Sequence, residues 1–172
     1  MEKRNAVTGA ALIVCCMLGG ATLPVIAGDR DHHHDGAPAD IVGAWKMTVQ
    51  FTDCVTGEPT RSAFSALNSF FGEGNLIENG SGLGPAQRSI SHGRWQQTGK
   101  RNVIARSELQ LFENNLYTGY QVIQRTFTVS RDGNELTAKG IFRRYNPADV
   151  QVFEGCVTET GKRQPEPEPA SP

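Results

Sequence analysis

After its first 27 residues the chain has no long apolar run, only two cysteines and no excess of either charge. The first absence excludes a membrane-spanning helix from that part, since spanning takes about 20 consecutive apolar residues. The balance of charge removes the electrostatic footprint on which nucleic-acid binding depends. Lys and Arg number 17 against 18 Asp and Glu, a formal net charge of −1. No nucleic-acid partner is expected. A Gly-x-Ser-x-Gly elbow is also missing, and no segment carries the 3.6-residue apolar period of an amphipathic helix. What the chain does have is a succession of alternating, strand-like segments.

The apolar start has its own logic. Residues 1–5 include Lys3 and Arg4, residues 6–27 are uncharged and mostly apolar, and the run ends in Val25-Ile26-Ala27. That order of basic, apolar and small-residue parts is the pattern of a secretory signal peptide. The strongly apolar part is short for a spanning helix, and Pro24 interrupts its end. Cleavage is expected before Gly28. Lipidation at Cys15 or Cys16 is not, because the preceding residue should be small and is Val14 or Cys15. Losing Lys3, Arg4 and Glu2 with residues 1–27 moves the formal net charge from −1 to −2. The product is expected to be secreted or periplasmic, with no membrane contact after cleavage. Its size suits a single domain.

Residues 28–40 are small and polar without periodicity and are expected to be a disordered lead-in. Residues 164–172 alternate Pro and Glu, which predicts an extended, disordered tail. Residues 41–163 are expected to fold. Only Cys54 and Cys156 remain in this part, and two cysteines in an exported protein most simply form one disulfide.

Residues 41–51 alternate without a break, with Ile41, Gly43, Trp45, Met47, Val49 and Phe51 on one face. Period two over that length predicts a half-buried strand. Further strands are predicted over 62–71, 75–78, 93–97, 102–113, 119–130, 136–143 and 150–160. Gly72-Glu73-Gly74 and Asp132-Gly133 are hairpin signals. Residues 79–92 form the longest irregular segment, a candidate lid. Eight short strands with turns between neighbours predict an all-β fold, an eight-stranded antiparallel up-and-down barrel, which also removes sheet edges. A barrel of this size is filled by side chains or holds one small ligand.

Gly43-Ala44-Trp45 at the head of the first strand resembles the opening of the lipocalin and avidin group, the calycins. The wider order of residues resembles small exported bacterial proteins with a lipocalin-like fold. It runs from Ile41-Val42-Gly43-Ala44-Trp45 through Cys54-x-x-Gly57 and Ser91-His92-Gly93-Arg94-Trp95 to Cys156 and Gly161-Lys162-Arg163, nearly all of residues 41–163. The resemblance implies that Trp45 plugs the closed end of the barrel and that Lys162 or Arg163 crosses over it. The other lipocalin motifs and avidin's biotin contacts are not present as a set, so neither biotin nor any named ligand is implied.

Candidate site residues follow from the faces. Arg125 shares a face with Ile123, Phe127 and Val129, which places a cation inside the barrel. Buried Arg needs a partner. Either it serves a polar ligand head or it joins an internal ion pair, with Glu154 the carboxylate in view. Gln121 and Asn68 share apolar faces in the same way, and Arg144 continues the Phe142 face. Trp95 is core or ligand wall. His92, where the long segment meets a strand, could be a ligand contact or a structural histidine. His32, His33 and His34 could bind a transition metal, though contiguous His in a lead-in form no preorganised site. No cofactor and no catalytic residue are expected. The reading these support is non-catalytic binding of a small, partly apolar or amphipathic molecule in the barrel interior. A solid-packed structural or interaction module and an isomerase- or cyclase-type enzyme stay open, as does the oligomeric state.

Overall fold

The structure, a computed structural model, describes residues 40–168. The expected signal peptide, the His32, His33 and His34 cluster, all of the lead-in but Asp40, and residues 169–172 of the tail lie outside the described residues.

Eight antiparallel strands close into one barrel in sequence order: β1 (Gly43–Thr52), β2 (Phe64–Phe70), β3 (Asn75–Gly80), β4 (Ser91–Gln97), β5 (Asn102–Glu113), β6 (Leu116–Val129), β7 (Glu135–Tyr145) and β8 (Gln151–Arg163). β1 pairs with β2 on one side and with β8 on the other, which completes closure. No helix occurs among the described residues. The all-β, up-and-down architecture is the one the alternation predicts. The ends differ. β6 starts at Leu116 rather than near 119, because Asn114 and Asn115 form the whole turn, with φ of 50° and 63°. Asn tolerates that left-handed backbone in two-residue hairpins. β8 runs on to Arg163, because Lys162 pairs with both Lys46 and Glu135.

β1, β3, β5 and β7 run towards one end of the barrel, here called the mouth, and the other strands run back to the closed end. Ile41, Trp45, Phe70, Val103, Phe127, Val129 and Leu136 fill the closed end and are almost fully buried. Phe70 and Phe127 meet edge to face with ring centroids 5.3 Å apart, a favoured aromatic geometry. Trp45 donates its indole N–H to the Ile41 carbonyl at 2.9 Å. The basic residue over Trp45 is Arg163, inside the last strand, while Lys162 is exposed. Its guanidinium carbon lies 4.4 Å from the indole centroid, a cation–π contact. It also donates to the carbonyls of Val42, Asp40 and Gly133 at 2.6, 2.6 and 2.8 Å. These bonds give a physical reason for the Gly in Gly-x-Trp. Gly43 has φ +128°, and a Cβ there would sit 2.7 Å from Arg163 Nη1. A larger residue would be strained and would push the arginine off its carbonyls.

Cys54, just past β1, is bonded to Cys156 in β8, with Cα atoms 5.2 Å apart across 102 residues of sequence. The disulfide expected from cysteine counting therefore staples the β1–β8 seam near the mouth. A loop of that length contributes up to about 4–5 kcal/mol in the chain-entropy treatment. Such a bond suits an oxidising compartment.

Candidate functional site at the barrel mouth

Halfway up the barrel the apolar interior gives way to a charged floor. Arg125, 3 % exposed, projects inward from β6. Its Nη1 donates to Glu159 Oε1 at 3.1 Å, its Nη2 donates to Ser107 Oγ at 3.1 Å, and Nη2 forms an ion pair with Glu78 Oε2 at 2.6 Å. The carboxylates of Glu78 and Glu159 thus hold one guanidinium between them. Burial works against the charge of Arg125, but Glu159 and Glu78 outweigh it and hold the group more firmly protonated than in water. Burial pushes Glu159 above the usual carboxylate range; Arg125 pulls the other way, and the charge of Glu78 adds to the rise. Glu154, the carboxylate in view for Arg125, is not its partner. Strand alternation puts Val157 and Glu159 inside and Glu154 outside, where it bonds Arg143 Nε at 2.6 Å. Asn68 and Ser91 complete the floor. Asn68 pairs with Glu78 across β2–β3, and Ser91 with Glu78 across β3–β4. Both are buried, and neither the Asn68 amide nor Ser91 Oγ has a protein hydrogen-bond partner.

The β3–β4 loop, residues 81–90, lies across one side of the mouth. It is pinned to the end of β5: Ser89 N–H donates to the Gln110 carbonyl at 3.0 Å, and Phe112 N–H to the Gln87 carbonyl at 2.9 Å. Gly82 passes so close to the Phe64 ring that a Cβ there would meet it at 2.9 Å. The loop carries Arg88 inward, where burial opposes its charge, Glu78 supports it and Arg125 opposes it. Beneath this loop a cavity of about 40 Å³ lies between Val49, Phe64, Ile123 and the two carboxylates of the floor. That holds a water molecule or two.

Outside the floor the mouth opens into a recess of about 400 Å³. Phe51, Phe142 and Phe153 wall it, and Phe64 continues the row of rings towards the inner cavity. Phe64 and Phe51 have centroids 5.3 Å apart, Phe51 and Phe142 5.1 Å, and Phe142 and Phe153 5.6 Å. Phe51 and Phe142 arrive there as inward residues of β1 and β7 near the strand ends, Phe142 buried and Phe51 partly so. Gly155 opposite makes the room, since a Cβ there would lie 2.7 Å from the Phe142 ring. Two guanidiniums rest on this wall. Arg61, from the β1–β2 loop, stands 5.8 Å from the Phe51 centroid. Arg144, from β7, stands 6.0 Å from Phe142 and 5.8 Å from Phe153. Arg144 Nε donates to Gln121 Oε1 at 2.9 Å. Burial, and then the charge of Arg61, push the Arg144 guanidinium below its ordinary value. Phe51, Arg61, Phe142 and Arg144 line both the recess and the small cavity below it.

The residues singled out in the sequence end in three places. Asn68, Gln121 and Arg125 are brought together inside the barrel, Gln121 at the step between floor and mouth. Trp95 belongs to the closed end: its indole N–H donates to the Phe71 carbonyl at 3.0 Å, and it meets Phe70 edge-on. His92 is exposed on the outer face, opposite Ile77 and Glu108. The Phe wall, Arg61, Glu78 and Glu159 were not identified from the sequence. Glu159 shares its face with Val157 and Gly161, a signal as clear as that of Arg125. Arg61 lies in a turn-rich loop, and no periodicity points to it. Among the described residues no group of three or more His, Cys, Asp or Glu is placed to hold a metal ion. No protein-family model and no curated protein matches this chain.

Proposed function

We propose that this protein is an exported, lipocalin-like barrel that binds a small, partly apolar molecule without catalysis, and that it does so at the mouth rather than deep inside. The observation that carries this reading is the recess of about 400 Å³, walled by Phe51, Phe142 and Phe153 and topped by two arginines. Its size falls in the range of small-molecule pockets, and its mix of aromatic wall with a few convergent polar groups is their usual make-up. The interior offers no comparable space, because Met47, Leu109 and Phe127 are buried core and the inner cavity is near 40 Å³. The disulfide supports export, since such bonds persist in oxidising compartments.

The packed interior also favours a second reading, a structural or interaction module whose mouth is simply a rim. One substitution separates the two. Phe153 is 48 % exposed, so Phe153→Ser is expected to change stability by less than about 1 kcal/mol. The same change should weaken binding of an amphipathic ligand about tenfold or more, as loss of an aromatic wall does. A screen of small aromatic and aliphatic amphiphiles against the native chain and the variant, read by titration calorimetry, is the test. A native chain that binds none of them leaves the module reading standing.

A further inference from the structure

Asp53 and Glu154 are the carboxylates that line the recess, and each is already engaged. Asp53 accepts from the Val55 and Thr56 backbone N–H groups at 2.9 and 2.8 Å, and Glu154 is bonded to Arg143. Among the described residues no carboxylate pairs with Arg61 or Arg144. The floor below is different: there, Arg125 has two carboxylates and Arg88 stands beside one of them. Two cations therefore share one aromatic recess with no carboxylate paired to either, and the charge of Arg61 works against that of Arg144.

We propose that the ligand of this recess is a small organic monoanion, an apolar or aromatic body ending in a carboxylate, with its head between Arg61 and Arg144 and its body against Phe51, Phe142 and Phe153. This rests on the mouth being the binding site and names the class of molecule that it takes. Gln121 supplies the orientation. By accepting from Arg144 Nε, it fixes the plane of that guanidinium and leaves both terminal nitrogens for the ligand. A planar fork of donors matches a carboxylate in a bidentate fashion, which an ammonium does not. The rings of Phe142 and Phe153, within 6.0 Å of the same guanidinium, hold it over the aromatic wall. The anion pairs with the two arginines that no carboxylate engages, and the phenyl wall removes the apolar body from water. An uncharged body alone gains only the second part, and a bare inorganic anion only the first.

The test compares matched pairs on the full chain: 2-naphthoate with 2-naphthamide, and decanoate with decanol, by titration calorimetry at low and high salt. Each anion is expected to bind about tenfold or more tighter than its uncharged counterpart, and to lose part of that preference in salt. Arg61→Gln or Arg144→Gln is expected to shrink the preference to about threefold or less while binding of the uncharged member stays within about twofold. Thermal melts of both variants confirm folding; Arg144→Lys, which keeps charge but not the fork, should retain part of the preference. Equal binding of anion and uncharged partner would overturn the anion assignment and leave mouth binding in place. An anion preference that survives Arg61→Gln and Arg144→Gln made together would also overturn it, by placing the head elsewhere. Failure of all four molecules to bind would sink both the anion and the mouth site.

Discussion

Trp45 and Phe153 mark the two ends of the barrel. Trp45 is fully buried, its N–H is satisfied, and Arg163 covers it with bonds to three carbonyls. Phe153 is half exposed and carries Arg144 over its ring, with no acid paired to that arginine. The turns tell the same story. Apart from Phe71, the closed-end turns expose polar and charged residues such as Glu73, Arg101 and Asp132, whereas the mouth exposes Val55, Leu116, Val150 and Val152. Both ends place an arginine on an aromatic ring. At the closed end the arginine's hydrogen bonds go to the protein's own backbone, and the element is finished. At the mouth Arg144 gives one to Gln121, and its terminal nitrogens are left over. A cation whose donors are taken up locally is part of the structure, and one whose donors face a recess is available to something else.

Three substitutions sharpen this contrast. The largest expected effect is at the floor that separates the ends. Arg125→Met would leave Glu78 and Glu159 without the cation held between them, and should destabilise the barrel by about 3–5 kcal/mol in urea unfolding at neutral pH. A loss under about 1 kcal/mol would mean that the floor does not depend on this pairing. Next comes the closed end. Arg163→Ala removes three carbonyl contacts and the cover of Trp45, and should lower stability by about 2 kcal/mol. Arg144→Ala, the mouth's counterpart, should stay within about 1 kcal/mol, since it removes one hydrogen bond and relieves a repulsion. Equal losses at the two ends would break the comparison.

The smallest effect is on pH dependence. Glu159 is held above the ordinary glutamate value. Between the two values the native chain keeps a proton that the unfolded chain has released. The contribution of Glu159 to stability is therefore fully present below the unfolded value and lost as pH rises through the folded one. Glu159→Gln should flatten that fall in melts taken upward in pH from the ordinary glutamate value. A variant whose profile tracks the native one would show that this carboxyl titrates as it does in water.

The contrast between the ends also marks how far the sequence could be read. Period-two alternation from Gly43 to Phe51 places every inward residue of β1, so the closed end and the barrel follow from it. The same alternation puts Arg125, Asn68 and Gln121 inside. Which carboxylate meets Arg125 depends on how strands distant in sequence lie across the barrel, and Glu78 and Glu159 come from β3 and β8. The choice of Glu154 missed Glu159 by five residues, an odd step along β8 that puts the side chain on the other face. The recess was not legible for a related reason. Phe51, Phe142 and Phe153 each fit a strand pattern, but only closure brings them beside Arg61, a loop residue with no pattern at all.

The most direct measurement is a residue-resolved map of backbone amide chemical shifts of the full chain, with and without a bound amphipathic ligand such as 2-naphthoate. The changes are expected to concentrate at the end of β1 and the loop after it, around Phe51 and Arg61, and along Phe142 to Gly155, with Trp45, Phe127 and Leu136 unmoved. Changes centred on the Trp45 end, or no change anywhere at saturating ligand, would contradict the division of the barrel into a finished end and a binding mouth.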